Sequence, residues 1–316
     1  MAFINLKNDK YWEQLSNPDY WKKRSEELDK YLEKTQKETI KEVNKAYREA
    51  FNNINKEVSD FMMKYATDNK LDYNTISQVL SPVDIATYNE RMEELRAMYR
   101  DTQSEYIKRE IAELDARMYV TRQQALMDSI NVELSKTAHN FQMTLEECMT
   151  GLFTDQYAEV AQMLGVMVPN IPTEAIKKII EYPYHGQMFA DSIWKNKRDL
   201  CNYINKKMVQ GIIRGDSIQK MSRELKKDLN VLYYQAERLV RTETNYAMNQ
   251  GHLEGYKASD VVESYQFLAA HDHRTSKLCR EMDGKLIPLD KAQVGVNCPP
   301  LHPHCRSTII PVIEDY

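Results

Sequence analysis

The sequence predicts a mainly α protein, α+β overall. Long N-terminal helices form a bundle or stalk, and a C-terminal helical module carries a small β-sheet. Three observations predict this. All nine glycines lie at or after Gly151, and only Pro18 and Pro82 interrupt the first 150 residues. Apolar residues in that half recur at three-, four- and eight-residue steps, the pattern of a helix with one apolar stripe. Near the C-terminus, VVESYQFLAA (Val261 to Ala270) begins instead by alternating apolar and polar side chains, as a strand does.

The elements follow in order. From about Asn17 to Tyr65, Tyr20, Leu28, Leu32, Ile40, Val43, Tyr47, Phe51, Ile54 and Val58 trace one stripe on a charged helix. Asn17 is placed to cap it, Pro18 suits the first helical position, and Asp19 meets the positive end of the dipole. A turn within Asn69 to Ser81 leads to Pro82, and the pattern predicts another long helix from about Val83 to Ala138. VMVPNIP (Val166 to Pro172) and EYPYHGQ (Glu181 to Gln187) read as a linker or turns. Helix resumes over about Ser192 to Ile213 and Ser217 to Leu229, with Asp216 and Gln219 resembling a capping box. A further helix spans about Leu232 to Tyr256. KLIPL (Lys285 to Leu289) and STIIPVI (Ser307 to Ile313) are the other strand candidates. The expected division is a helical domain at 1–165, a linker at 166–190 and a compact module at 191–316. No short-period repeat of the solenoid kind is present.

Composition narrows the class. With 28% charged and 42% apolar residues, the chain of 316 folds rather than staying disordered. Five scattered cysteines do not make a secreted disulfide framework. The first residues lack a signal-peptide core and no segment is fit to span a membrane, so a soluble protein made in the cytosol is expected, with no membrane required. Net charge is −4, yet Lys195 to Arg241 holds twelve basic and five acidic side chains. Such a face suits phosphate contact, and Lys206, Lys207, Lys220, Arg223, Lys226 and Lys227 are the candidates for double-stranded DNA. A solvated helical surface, or a patch facing an acidic protein, gives the same composition.

Chemistry concentrates in HDHRTSKLCREMDGK (His271 to Lys285) and NCPPLHPHCRSTIIP (Asn297 to Pro311). Cys279, Cys298, His302, His304 and Cys305 offer soft donors, with Asp272 and His273 as additions. Zinc takes four such groups in a tetrahedron, and a structural site fills all four. Cys279, His302 and Cys305 are the favoured ligands, and the fourth lies between Cys298 and Asp272. The alternative without a metal is a buried thiol pair with prolines fixing a turn. A metal-dependent nuclease or other phosphate-acting enzyme is a further alternative, but no side chain is singled out as its base, and no catalytic residue is assigned. In RLVRTETNYAMNQG (Arg238 to Gly251), Glu243 falls at the edge of the apolar face. A buried carboxylate needs a partner, and a structural ion pair of Glu243 with Arg274, beside Arg241, is the simplest one.

Taken together, Arg241-Thr242-Glu243 with Asn249 and Gly251, then Asp272-x-Arg274-Thr275 with Cys279 and Asp283-Gly284, then Pro299-Pro300-x-His302-Pro303-x-Cys305-Arg306 form an ordered series. It resembles the phage head-morphogenesis family, minor head proteins similar to the F protein of phage Mu, over roughly residues 190 to 313. The helical half, with Tyr20-Trp21 near its start, more loosely resembles minor head proteins of tailed phages of Gram-positive bacteria. Family members read Pro-Asn-Cys-Arg-Cys at the end, where this chain has His304 for the Asn and Ser307 for the second Cys. The resemblance implies a non-enzymatic minor capsid protein, present in the virion near the portal vertex and in the host cytoplasm during assembly. It implies the portal protein and the major capsid or scaffolding protein as partners, and a role in head assembly and DNA packaging or ejection. Some relatives carry a toxin domain after the module, including ADP-ribosyltransferases; the five residues after Pro311 are expected to leave no room for one.

Overall fold

The computed structural model describes residues 17–66, 71–116 and 119–313, and at residues 18, 22, 218, 222 and 225–230 it describes the backbone alone. The protein is mainly α-helical, with one small antiparallel sheet near the C-terminus. No helix among the described residues is long and apolar enough to cross a membrane.

Helix α1, Pro18–Tyr65, starts as its sequence dictates: the Asn17 side chain accepts the Asp19 N–H at 2.9 Å. After a short α2 (Tyr73–Ile76), the single helix expected over Val83 to Ala138 is divided into α3 (Pro82–Thr102), α4 (Glu105–Asp115) and the start of α5 (Arg122–Leu164). Side chains make these breaks. Ser81 caps α3 through the Asp84 N–H, Gln103 ends it in the left-handed region (φ 52°), and Ser104 caps α4 through the Ile107 N–H. Glycine and proline are absent from the α3–α4 junction, so the usual punctuation gave no warning. Helix α6 (Thr173–Ile180) lies within the stretch expected as a linker. Helix α7 is Phe189–Arg214, and α8 is one continuous helix, Ile218–Ser259, where two were expected. Ser217 and not Asp216 caps α8: its carbonyl accepts the Met221 N–H at 3.0 Å, whereas the Asp216 carboxylate is held by Arg214 and Lys220 at 2.6 Å each.

The described residues form two compact units, one drawn from 17–41, 143–189 and 236–313, the other from 42–66, 71–116, 119–142 and 190–235. This differs from cuts at 165 and 190 because α1, α5 and α8 each supply residues to both. In the second unit, Lys197 is buried against Glu110 at 2.5 Å, and Asn131 donates to the same carboxylate at 3.1 Å. Tyr106 stacks on Trp194 with ring centroids 5.2 Å apart. Lys197 therefore belongs to a core and not to the basic surface its position in the sequence suggested.

The first unit holds the sheet, in the order β2-β1-β3, all antiparallel: β1 Ser264–Leu268, β2 Leu286–Pro288, β3 Thr308–Val312. Tyr265 stands opposite Ile287 and Pro311, and Phe267 opposite Ile309. Strand geometry sends alternate side chains to opposite faces, so Tyr265 and Phe267 enter the core together. They meet Trp21, Val160, Leu253, Tyr256, Leu301 and Ile309 there. Trp21, marked in the sequence, is buried in this core and packs edge-on against Tyr20 at 5.1 Å.

Candidate metal centre

Two short segments of the first unit converge on one spot. In the first, the Asp272 carboxylate accepts the Arg274 N–H at 2.8 Å and contacts the Thr275 hydroxyl, which bends HDHRT into a tight turn. That turn delivers Ser276 to cap helix α9 (Lys277–Met282), where it accepts the Cys279 N–H at 3.2 Å. Cys279 is thereby placed on the first turn of α9, facing inward and buried. In the second segment, Asn297 accepts the Gln293 N–H at 2.7 Å and donates to the Lys291 carbonyl at 2.9 Å, fixing the loop before Cys298. The Pro299–Pro300 bond is cis, and His304 turns the chain with φ 59°. His302 and Cys305 close the turn, the Cys305 N–H donating to the His302 carbonyl at 3.1 Å.

The donor atoms of Cys279, His302 and Cys305 all lie within 4.8 Å of one another. Cys279 Sγ is 3.2 Å from His302 Nε2 and 3.7 Å from Cys305 Sγ. A tetrahedron with zinc–sulfur bonds of about 2.3 Å has sulfur–sulfur edges of about 3.8 Å, so the thiol pair fits one edge. His302 Nδ1 lies 2.8 Å from the Pro303 carbonyl and must carry the proton for that bond. The lone pair is then on Nε2, turned toward the sulfurs, as a metal-binding imidazole requires. The proton shared with Cys305, and after it burial, push the Cys279 thiol up, whereas Cys305 is brought down by that same bond and by backbone bonds at Leu301 and Ser307. Three of the favoured ligands are therefore brought together.

Neither candidate for the fourth position joins them. Cys298 is fully buried beside Tyr265, and desolvation pushes its thiol up to about 12. Asp272 is engaged by Arg306 and Arg274, which hold its carboxyl far below the usual range. His273 is exposed, and His304 uses its backbone N–H to reach the Thr242 hydroxyl at 3.1 Å.

The expected pairing of Glu243 with Arg274 is not made. Arg274 is 60% exposed and turned to Asp272, since the carboxylate of its own turn lies two residues away. Arg241 binds Glu237 at 2.9 Å and the Gln36 side chain at 3.2 Å. Glu243 is buried, and desolvation raises its pKa to about 7.

The role of RTETNYAMNQG lies in its other side chains. Thr242 receives His304, while Asn245 and Asn249 donate to the Ser307 carbonyl at 3.1 and 3.3 Å. Further along α8, the Tyr256 hydroxyl donates to the Ile309 carbonyl at 3.2 Å. Positions 242, 245, 249 and 256 follow helical spacing, so one face of α8 seats the segment from His304 to Ile309. Gln36 of α1 was also missed: it fills a gap in the apolar stripe and donates to the Thr244 hydroxyl at 2.9 Å.

Among the basic candidates, Lys206 and Arg223 are exposed, Lys207 lies 5.4 Å from the Tyr203 ring centre, and Lys220 is held by Asp216. The side chains of Lys226 and Lys227 lie outside the described residues.

Residues 202–310, which include Cys279, His302, Cys305 and the α8 side chains that seat the C-terminal turn, match a family model described as Phage Mu protein F like protein. The chain is 25% identical over 269 residues to Minor head protein GP7 of Bacillus phage SPP1, covering 78% of this chain and 86% of that protein. It is 23% identical over 235 residues to the NAD(+)–arginine ADP-ribosyltransferase EFV of Enterococcus faecalis, covering 69% of this chain. The chain spans about half of that second relative, 48% of its length. No solved structure matches.

Proposed function

We propose, from the premise that this chain is of the phage minor head protein family and carries a Mu F-like domain at residues 202–310, that it is a structural component of a tailed-phage head. In this reading it sits inside the head near the portal vertex, binds the portal protein and the capsid or scaffolding protein, and acts in assembly and in DNA packaging or ejection. The observation that carries the reading is the use made of the motif residues. Thr242, Asn245 and Asn249 spend their polar groups holding the His304–Ser307 segment, and Asp272 is closed off by two arginines. That is how a fold is locked, with the polar groups of these motif residues spent on the chain itself. The activity named for the Enterococcus faecalis protein is not carried over, since its likeness to this chain covers 48% of that protein.

Zinc has a structural part in this reading, with Cys279, His302 and Cys305 as ligands. When bound, it would tie α9 to the C-terminal turn as a crosslink. Double-stranded DNA is a second partner, met through Lys206 and Arg223 together with Lys226 and Lys227.

The test is head assembly in cells that supply the portal, scaffold and capsid proteins with the full chain. The expected result is co-purification of the chain with the portal and its presence in portal-bearing procapsids. Heads that assemble and package normally without it, with no portal-bound chain, would overturn the proposal. For DNA, gel shifts should weaken steeply with salt and on neutralising Lys206, Arg223, Lys226 and Lys227 together. DNA cleavage abolished by His302→Ala with the fold intact would favour the nuclease instead.

A further inference from the structure

We propose that the cleft between α1 and α5 is a binding site for an organic cation, an alkylammonium or guanidinium group carried on an apolar stem. The cleft lies wholly in the first unit and encloses about 560 Å³. Small-molecule sites commonly measure about 300 to 1,000 Å³. Two sources supply that cationic chemistry, a free amine and the basic side chain of another protein.

Trp21 of α1, Val160 and Met163 of α5 and Ile309 of β3 give the cleft an apolar interior. Two polar atoms of its lining residues are buried there without a partner, His252 Nδ1 and Thr308 Oγ1. His252 is 7% exposed, and its ring is set by the 2.9 Å contact of Nε2 with the Gln156 side-chain carbonyl. That contact puts the proton on Nε2 and leaves the lone pair on Nδ1. Burial, and after it the nearby Arg24, lower the His252 pKa, so the ring adds no positive charge near neutral pH. An unmatched buried acceptor is costly, and an N–H donor is the group that satisfies it.

The mouth of the cleft selects the sign of charge. Three carboxylates, Glu27, Asp155 and Glu159, share the lining with one cation, Arg24. Arg24 is spent on Glu159, and Asp155 accepts the neutral Tyr31 hydroxyl at 2.8 Å. Glu27 and Asp155 are exposed, and no cation among the described residues pairs with either. Trp21 and Tyr31 add aromatic surface, whose faces attract a cation. An anionic ligand meets the same two carboxylates as repulsion.

The experiment is calorimetric titration of the purified full chain, with circular dichroism as a folding control. Agmatine serves as the free cation, an acetylated Gly-Arg-Gly amide as the side chain in a peptide, and the same peptide with citrulline as the neutral isostere. At least one cation should bind with a dissociation constant of about 1 mM or tighter, and the citrulline peptide about tenfold more weakly than the arginine one. Glu27→Gln combined with Asp155→Asn should weaken binding about fivefold, and His252→Phe about tenfold. Ala158→Trp, at an exposed position of the lining, should abolish it by filling the mouth. The substitutions at 27, 155 and 158 are on the surface and keep the test decisive should His252→Phe fail to fold. Preference for agmatine upholds the site with a free amine as ligand, and preference for the arginine peptide upholds it with a protein partner. Binding of neither cation up to about 10 mM, equal binding of the citrulline peptide, or binding indifferent to both surface variants would each overturn the proposal.

Discussion

Gly251 of α8 lies so close to α5 that a Cβ added to it would stand 2.5 Å from the Phe153 carbonyl oxygen. The contact is with backbone, which cannot rotate aside, and Gln156 Cβ waits at 2.9 Å on the same side. Gly255, one turn on, faces Val160 in the same way, with Cβ at 2.8 Å. Small residues spaced by four let the two helices approach closely. Gly251→Ala should cost about 2–3 kcal/mol or more by overpacking, read as a lower urea midpoint at unchanged slope. An alanine tolerated at 251 without loss would mean that α5 and α8 are further apart than described.

Gln36 offers the second prediction. It is nearly fully buried, donates to Thr244 and accepts from Arg241, so both ends of its amide are used. Gln36→Leu keeps the volume but strands those partners, and should destabilise by about 1–3 kcal/mol. A double-mutant cycle with Thr244→Val isolates the pair, with a coupling of about 1 kcal/mol expected. Zero coupling would show that Gln36 acts through shape alone.

These two sites also show what the sequence could and could not convey. The stripe from Leu32 to Val58 predicted α1 well, because burial of one helical face is a local, periodic requirement. Gln36 broke that period, since its value depends on Thr244, more than two hundred residues away. The strands were legible from Tyr265 and Phe267 alternating with polar neighbours. The division at Gln103-Ser104 was not, because a side-chain cap replaces glycine there. At the candidate metal centre, residue type alone pointed to Cys279, His302 and Cys305, the three whose donor atoms the fold brings within 4.8 Å of one another. It could not separate Cys298 from them, because burial against Tyr265 is a tertiary fact. Glu243 was read correctly as buried and wrongly as paired. Arg274 sits nearer the carboxylate of its own turn, and no sequence pattern encodes that competition.

Metal removal gives the third prediction. A ligand that binds only the folded chain stabilises it by mass action, about 4 kcal/mol at a thousandfold excess over the dissociation constant. Adding zinc should raise the melting temperature of the metal-free chain, and a strong chelator should reverse the gain. Cys279→Ala and His302→Ala should each abolish the zinc response. A melting temperature indifferent to zinc and chelator would leave the thiols as plain core residues.

The fourth prediction concerns pH. Burial raises the Glu243 carboxyl from 4.5 to about 7, so the folded chain binds this proton more tightly than the unfolded chain does. Between those two values the folded state carries the extra proton, and stability from this group must fall as pH rises. Above about 7 the full cost of a buried carboxylate is present, about 3 kcal/mol at most; below 4.5 it is absent. His185 and His304 work in the opposite direction, because burial lowers their pKa values and protonating them destabilises the fold. The comparison that isolates Glu243 is therefore wild type against Glu243→Gln, measured as urea midpoints from pH 5 to 8. The Gln variant should be the more stable chain at pH 8, and its advantage should shrink steadily toward pH 5. A constant offset between the two curves would mean that Glu243 titrates as an ordinary carboxylate and that its charge is solvated in the folded chain.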